Sequence, residues 1–295
     1  MPAIDSAALM RNIGVLAADS MAGRRTDTAG GSHARAFILR QFGAFGVSPL
    51  SRRYTYDFFV PRAGGDLKGV NCIGVIRGSK YPDRFIVLSA HYDHLGVRND
   101  TVFNGADDNA SGTAGVLAIA QWLRKNPPQN SVMIVLFDGE EAGLAGSLSF
   151  VSQPPVPLER IVANVNLDMI GRNARGELWA AGAAPWPVMK PMLDAVVRVA
   201  PVALKLGHDS GTGQNNWTMQ SDQGPFHQKK IPFVYFGVED HADYHKATDK
   251  VEKIMPGFYV NSVRTIAEFV RRLDLGLDAV AAVRATGVSA MNRVP

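Results

Sequence analysis

The sequence predicts a three-layer α/β/α sandwich with a largely parallel, mixed central sheet. Short apolar runs alternate with longer segments of helical periodicity through most of the chain. The apolar runs are continuous, which is typical of strands that are covered on both faces. The 295 residues, of which 46% are hydrophobic and 20% charged, are enough for one large globular domain or two small ones.

The N-terminal part of the chain is predicted to be helical. Apolar residues recur at helical spacing over residues 5–18 and again over residues 34–45, with a loop rich in Gly, Thr and Asp between them. Residues 53–76 are predicted to form strands that are broken by a turn at residues 63–66. We expect residues 1–295 to form a single domain, with residues 1–50 packed on it as a helical segment and no second domain inserted.

The remaining elements alternate between strand and helix. Strands are predicted at residues 85–88, 132–137, 162–167 and 233–236, and helices at residues 110–125, 187–200 and 256–284. Residues 205–226, which are rich in Gly, Asn, Asp and Gln, are predicted to form one long loop. Loops of that length inside a compact domain are usually functional.

Composition narrows the range of functions. No segment approaches eighteen consecutive apolar residues, so a membrane span is not expected. The net charge is only +4 and the basic residues are scattered, which argues against a nucleic-acid surface. Cys72 is the only cysteine, so any metal must be held by histidines and carboxylates. The first 25 residues lack the features of a signal peptide, which leaves the compartment open.

Polar residues follow the predicted strands at the points where the strands end. They are His91 and Asp93, Glu140 and Glu141, Asp168, and, after a short loop, His241 and His245. Ligands bind along the carboxyl ends of the strands in open α/β sheets, so these residues are expected to meet there. Histidines and carboxylates without cysteine predict a divalent metal site, with zinc as the leading candidate.

A pair of metal ions roughly 3.5 to 4 Å apart needs a bridging carboxylate. Asp108, in the polar loop before the helix at residues 110–125, is the candidate for this bridge. Glu140 and Glu141 are adjacent and cannot point the same way, so one can bind metal while the other stays free as a general base. Asp93 can accept the second imidazole N–H of His91 and so fix its tautomer.

Five segments together resemble the co-catalytic di-zinc aminopeptidases of the aminopeptidase Y and bacterial leucyl aminopeptidase type. The segments are HYDHLG (91–96), NGADDNASG (104–112), FDGEEAGLAGS (137–147), NLDMIG (166–171) and DYHKATD (243–249). They occur in the order that the family shows, and the resemblance covers about residues 10–275. It implies a fold of the zinc-exopeptidase kind and two Zn²⁺ ions in each chain.

The resemblance also assigns a role to each residue. It implies that one zinc is held by His91 and Asp168, that the other is held by Glu141 and His245, that Asp108 bridges them, and that Glu140 is the general acid/base. It selects Asp108 over Asp107 and implies a cis peptide bond between Asp108 and Asn109. One departure is Gln223, where the family often has His or Asn.

Three neighbouring residues are interpreted differently. His94 is interpreted as an exposed or structural histidine, and Asp107 as a loop or capping residue. Either His241 or His245 could reach a metal from a helix, and His245 is preferred because of its Tyr-His-x-x-x-Asp context.

The implied function is that of a zinc-dependent aminopeptidase, which hydrolyses the N-terminal bond of peptides through a water shared by the metals and a Glu general base. The expected partners are peptides with a free N-terminus, with no nucleic acid, and a monomer is favoured. Family resemblance favours a periplasmic or secreted location, although a cytoplasmic one stays open. Two other functions are considered, a glutaminyl cyclase with one zinc and a non-catalytic binding domain of the same fold.

Overall fold

The computed structural model describes residues 1–286. Its helices are α1 (Ser6–Leu16), α2 (Ala29–Phe45), α3 (Gly112–Lys125), α4 (Ala145–Ser152), α5 (Lys190–Val197), α6 (Gln223–Gln228), α7 (Pro256–Leu275) and α8 (Leu277–Thr286). Its strands are β1 (Ser48–Pro49), β2 (Thr55–Val60), β3 (Leu67–Ile76), β4 (Tyr81–His91), β5 (Gly96–Arg98), β6 (Thr101–Phe103), β7 (Asn130–Phe137), β8 (Ile161–Leu167), β9 (Glu177–Ala181), β10 (Ala203–Leu206) and β11 (Phe233–Gly237).

The central sheet is mixed, with a parallel centre. Its strand order is β1-β3-β7-β4-β8-β11-β9-β10, and β2 pairs with β3. The four central strands β7, β4, β8 and β11 are parallel to one another. Antiparallel pairing occurs on both sides of them, between β3 and β7 and between β11 and β9. The predicted fold class is therefore confirmed.

Buried side chains of the central strands alternate between two apolar layers. In β4, Ile86 and Leu88 belong to a core that includes residues of α1, α2, α3 and α7, whereas Phe85 and Val87 belong to a core that includes residues of α4 and α6. The sheet is thus covered by helices on both faces, which explains why its strands are continuous apolar runs.

Helix α3 packs closely against the sheet and holds the preceding loop. A side chain at Gly112 would collide with the side chain of Asn109 and with the carbonyl oxygen of Leu167. Only glycine therefore allows the helix to begin at this distance from the end of β8. The loop that carries Asp108 is fixed between the helix and the sheet as a result.

The sequence-based description of residues 205–226 as one loop is wrong at both ends. Strand β10 extends to Leu206, and α6 begins at Gln223. The short strands β9 and β10 and the short helix α4 were also not predicted from the sequence, because elements of four to eight residues carry little periodicity. Among residues 1–286, no helix is both long and apolar enough to cross a lipid bilayer.

Candidate metal centre

The predicted polar residues meet at the carboxyl edge of the parallel strands. His91 is the last residue of β4, and Asp168 directly follows β8. Glu140 and Glu141 lie just beyond β7, and His245 lies in the segment after β11. Since β7, β4, β8 and β11 are adjacent and parallel, their ends bring these side chains together.

One group of possible ligand atoms comprises His91, Asp108 and Asp168. The Nε2 atom of His91 lies 3.2 Å from Oδ1 of Asp168 and 3.4 Å from Oδ1 of Asp108. All three side chains are buried. One nitrogen and two carboxylate oxygens at this spacing form a donor set that suits zinc.

A second group forms on the other oxygen of Asp108. The Nε2 atom of His245 lies 3.2 Å from Oδ2 of Asp108 and 3.4 Å from Oε2 of Glu141. The two oxygens of the Asp108 carboxylate therefore face two different sets of donors. This is the geometry that a carboxylate needs in order to bridge two cations.

The loop around Asp108 is held by backbone and side-chain hydrogen bonds. The expected cis peptide bond between Asp108 and Asn109 is confirmed. The Asn109 side chain donates to the Leu167 carbonyl oxygen at 2.9 Å and accepts from the backbone N–H of Gly112 at 2.8 Å. The carboxylate of Asp249 accepts from the backbone N–H groups of Asp107 and Asp108 at 3.0 to 3.1 Å.

Sequence reasoning assigned no role to Arg24, which is fully buried beneath this loop. Its guanidinium donates to the backbone carbonyl oxygens of four residues, which are Leu16, Tyr92, Asn104 and Gly105. One side chain thus joins helix α1, the end of β4 and the Asp108 loop. The sequence could not distinguish Arg24 from the exposed Arg25 beside it.

Asp93 lies at the site but makes contacts other than the predicted one. The His91 Nδ1 atom is 3.2 Å from the backbone carbonyl oxygen of Asp93, whereas the nearest oxygen of the Asp93 carboxylate is 3.8 Å away. The carboxylate instead accepts from the backbone N–H groups of Glu140 at 3.1 Å and Glu141 at 3.3 Å. Asp93 can therefore fix the His91 tautomer through its backbone, while its side chain supports the glutamates.

Glu140 is partly buried and lines the cavity beside both donor groups. Burial raises the pKa of Glu140 well above its ordinary value; His91 opposes this rise, and the negative charges of Asp168, Asp222 and Asp93 add to it. A raised pKa makes the Glu140 carboxylate a stronger base than an ordinary glutamate.

In the protein without bound cations, the pKa of the glutamate in the second donor group is lowered, whereas that of Glu140 is raised. Burial acts to raise the pKa of Glu141, but contacts with His245 and His94 outweigh it and lower that pKa below its usual range. Contacts with Asp108 and Glu141 raise the pKa of His245 to about 10. Glu141 is therefore held as a carboxylate, the form that binds metal.

The two neighbouring histidines differ in their surroundings. His241 Nε2 lies 3.1 Å from Oδ2 of Asp107, outside both donor groups, while Asp107 also accepts from the backbone N–H of Gly171 at 2.7 Å. Of the two interpretations of His94, as an exposed or as a structural histidine, the first is excluded because the residue is buried. Its Nδ1 atom lies 2.8 Å from Oε1 of Glu141.

The residues at this centre fit a pair of divalent cations. Three carboxylates, those of Asp108, Glu141 and Asp168, converge with little exposure to water, and such a concentration of negative charge is costly without cations. The buried Oε1 atom of Glu141 makes no well-formed hydrogen bond to a described residue, although His94 Nδ1 lies 2.8 Å from it. Imidazole nitrogen and carboxylate oxygen are the donors that zinc accepts.

A cavity of about 360 Å³ opens onto the centre. It is lined by His91, Asp108, Glu140, Glu141, Gly143, Leu144, Asp168, Met169, Trp217, Gln220, Ser221, Tyr235, Val238, Asp240, Tyr244 and His245. None of these described lining residues is a lysine or an arginine. Its acidic lining residues outnumber the two histidines, so before cations bind the lining favours a cationic group over an anionic one.

Comparisons with known proteins find relatives that are named as peptidases. The sequence profile of peptidase family M28 matches residues 71–270. The chain is 30% identical over 229 residues to a probable glutamate carboxypeptidase, VP8, of Zea mays, which covers 70% of this chain and 29% of that protein. It is 36% identical over 104 residues to aminopeptidase YwaD of Bacillus subtilis, which covers 34% of this chain and 22% of that protein. The matched segments thus span less than a third of these curated relatives.

Solved structures share the fold. A Zn-dependent exopeptidase from Parabacteroides distasonis matches with a TM-score of 0.72 at 18% identity, over 92% of this chain and 99% of that one. A glutaminyl cyclase from an Acidobacteriales bacterium matches with a TM-score of 0.74 at 24% identity, over 94% of this chain and 96% of that one. Peptidases and cyclases both have this architecture, so the activity has to be argued from the site.

Proposed function

Because this chain belongs to peptidase family M28, a family of zinc peptidases, we propose that it is an aminopeptidase, which uses two zinc ions to remove N-terminal residues from peptides. One zinc would be held by His91 and Asp168, the other by Glu141 and His245, and Asp108 would be shared between them. Residues 1–295, of which 287–295 lie outside the described part of the chain, would form one catalytic domain with residues 1–50 packed on it. Leu9 and Ile13 of α1, which share the core beneath α3, support this arrangement.

The observation that carries the two-metal proposal is the division of Asp108 between two donor groups. Its Oδ1 atom lies 3.4 Å from His91, and its Oδ2 atom lies 3.2 Å from His245. A site for one cation would not need a donor set on each oxygen of the same carboxylate.

Charge in the cavity supports cleavage at the amino end. Asp240 lines it in addition to the proposed ligands and base, and no Lys or Arg is among its described lining residues. Carboxylates attract the α-ammonium group of a peptide, whereas a carboxypeptidase would need a cationic side chain for the α-carboxylate.

The bound zinc ions supply Lewis acidity, which makes water a stronger nucleophile and stabilises negative charge on the scissile carbonyl oxygen. Glu140 takes the proton from the attacking water and returns it to the nitrogen of the leaving amine. The raised pKa of Glu140 suits this double role, because the carboxyl group has to hold the proton between the two transfers. Asp93 keeps Glu140 in place through its backbone N–H.

The test is a panel of aminoacyl-nitroanilides and amino-blocked peptides, assayed before and after chelation and again after zinc is added back. The proposal requires hydrolysis of the free-amino substrates alone, loss of activity on chelation and recovery with zinc. Cleavage of amino-blocked peptides at a comparable rate would replace the aminopeptidase with another peptidase specificity.

The same preparation separates the two other functions. Glutaminyl peptides that release ammonia without hydrolysis, from a protein with one zinc per chain, would identify a cyclase. Full metal occupancy with no turnover of any aminoacyl or peptide substrate would identify a binding domain.

A further inference from the structure

We propose that His94 is an additional nitrogen ligand of the cation that Asp108 and Glu141 hold. The inference rests on the proposed two-metal function and adds a ligand that the family resemblance does not assign. It gives the second site two histidines, the buried His94 and the partly exposed His245.

The position of His94 is fixed by its packing. The side chain is only 1% exposed and comes three residues after the end of β4 at His91. Gly105, which has a positive φ of 53°, lies against the imidazole, and a side chain at that position would overlap the ring. The ring is thus held against the loop that carries Asp108, as a pre-organised ligand has to be.

His94 lies close to the carboxylates of both Glu141 and Asp108. Its Nδ1 atom lies 2.8 Å from Oε1 of Glu141 and 3.7 Å from Oδ2 of Asp108. One ligand atom from each of the three side chains lies within 4.8 Å of the others. His245 contacts the other oxygen of Glu141 and the same oxygen of Asp108, so the two histidines flank one position.

The contact between His94 and Glu141 does not have the geometry of a hydrogen bond. Nδ1 of His94 and Oε1 of Glu141 are 2.8 Å apart, yet neither of them, nor Nε2 of His94, makes a well-formed hydrogen bond to a described residue. Buried polar atoms normally have hydrogen-bond partners. A cation that binds the imidazole nitrogen and the nearby carboxylate oxygen would give a partner to both atoms. The His94 to Glu141 contact therefore indicates shared coordination.

The consequence is a difference between the two sites. The His91 site has three protein donors, from His91, Asp108 and Asp168, whereas the second site has four, from Asp108, Glu141, His94 and His245. Zinc sites with four protein ligands are typically closed, while those with three keep a position open. The His91 site is thus the one with room for a further ligand.

X-ray absorption at the zinc edge tests this inference, because multiple scattering from imidazole rings counts the histidines on zinc. The protein loaded with two zinc ions should show three imidazoles, those of His91, His94 and His245. His94→Gln should lose one of them while the fold, followed by circular dichroism, is retained. His227→Gln, which removes a buried imidazole from α6, is the matched control and should lose none.

The alternative is that His94 only donates a hydrogen bond to Glu141. The wild-type protein with two zinc ions would then show two imidazoles, and this result would overturn the inference without affecting the two-metal function. If His94→Gln does not fold, the wild-type count decides. If the protein binds a single zinc, the two-metal function fails, and the inference fails with it unless His94→Gln lowers the number of imidazoles on that zinc.

Discussion

The Asp93 carboxylate accepts a hydrogen bond from the backbone N–H of Glu140 at 3.1 Å, across the end of two adjacent parallel strands. Its second oxygen accepts from the backbone N–H of Glu141 at 3.3 Å and from the hydroxyl of Thr26 at 3.2 Å. One buried carboxylate therefore holds the backbone of both the proposed base and a proposed ligand. Sequence spacing paired Asp93 with His91, but the Asp93 side chain mainly supports the backbone of Glu140 and Glu141.

Asp93→Asn is predicted to weaken zinc binding. The amide has one acceptor oxygen instead of two, and its NH₂ group would face a backbone N–H, so the segment containing Glu140 and Glu141 would shift. Loss of such a supporting contact typically lowers metal affinity by about 10- to 100-fold. Competition with a chelator measures this affinity, and Asp83→Asn, at an exposed position, is the control. Unchanged affinity would show that the glutamates keep their positions without Asp93.

Glu140→Gln is predicted to retain both zinc ions and to lose most activity. The amide is close in shape to the carboxylate but cannot take a proton from water, and general-base catalysis typically contributes about 10²- to 10⁴-fold. Metal analysis and kcat on an aminoacyl-nitroanilide measure the two effects separately. Glu159→Gln, on the surface, should change neither. Hydrolysis at the wild-type rate would mean that another group is the base.

The sequence was sufficient for the fold and for the composition of the site. Apolar runs that end in His91, in the Glu140-Glu141 pair and in Asp168 place donors at strand ends, and parallel pairing then brings the ends together. The cis bond after Asp108 followed from family resemblance alone. These features depend on local pattern or on motif order, which a single sequence contains.

Contacts between distant parts of the chain could not be predicted in this way. Arg24 and Arg25 are identical in type, and only the three-dimensional fold buries the first under residues 92–105. His94 was expected to be exposed or structural, yet the conformation of Gly105 places its ring beside Glu141. Sequence spacing predicts which side chains lie at the end of a strand. It does not predict which of them a loop from a distant part of the chain will cover.

Arg24→Met is predicted to lower the free energy of unfolding. Its effect on the proposed metal ligands is expected to be indirect. Four backbone carbonyl oxygens would lose their donor in a buried environment, and a net loss of about 3 kcal/mol in the free energy of unfolding is expected. The midpoint of urea unfolding measures it. Arg25→Met, at the exposed neighbouring position, should leave the midpoint nearly unchanged. Equal midpoints for the two variants would contradict a structural role for Arg24.

A pH-dependent effect is predicted for Asp222 in the protein without cations. Burial raises the pKa of Asp222 from 3.8 to about 6, so the folded state disfavours its charged form. A raised carboxyl pKa gives stability that is present below pH 3.8 and is lost as the pH rises through 6. Asp222→Asn should therefore be more stable than the wild type at pH 7.5, by up to about 3 kcal/mol, with a smaller gain at pH 4.5. Urea unfolding in a chelator at both pH values measures this difference, and a gain that is independent of pH would contradict it.

Cation removal is predicted to lower thermal stability as well as activity. The carboxylates of Glu141 and Asp168, which follow β7 and β8, lie near that of Asp108 in the loop before α3, and without cations their charges repel one another. A cation that binds only the folded state adds about 2.7 kcal/mol when its concentration is 100 times its dissociation constant. Chelation should therefore lower Tm.

The identity of the restoring ion then tests the donor set. Histidine nitrogens contribute to both groups, and nitrogen donors favour Zn²⁺ and Co²⁺ over Mg²⁺ and Ca²⁺, which prefer oxygen. Zinc or cobalt should restore both Tm and hydrolysis, while magnesium or calcium in excess should restore neither. Recovery with calcium would indicate an oxygen site in which the histidines do not bind. Hydrolysis that persists in the chelator would remove the metal from the mechanism, and Glu140 would have to act on water by itself.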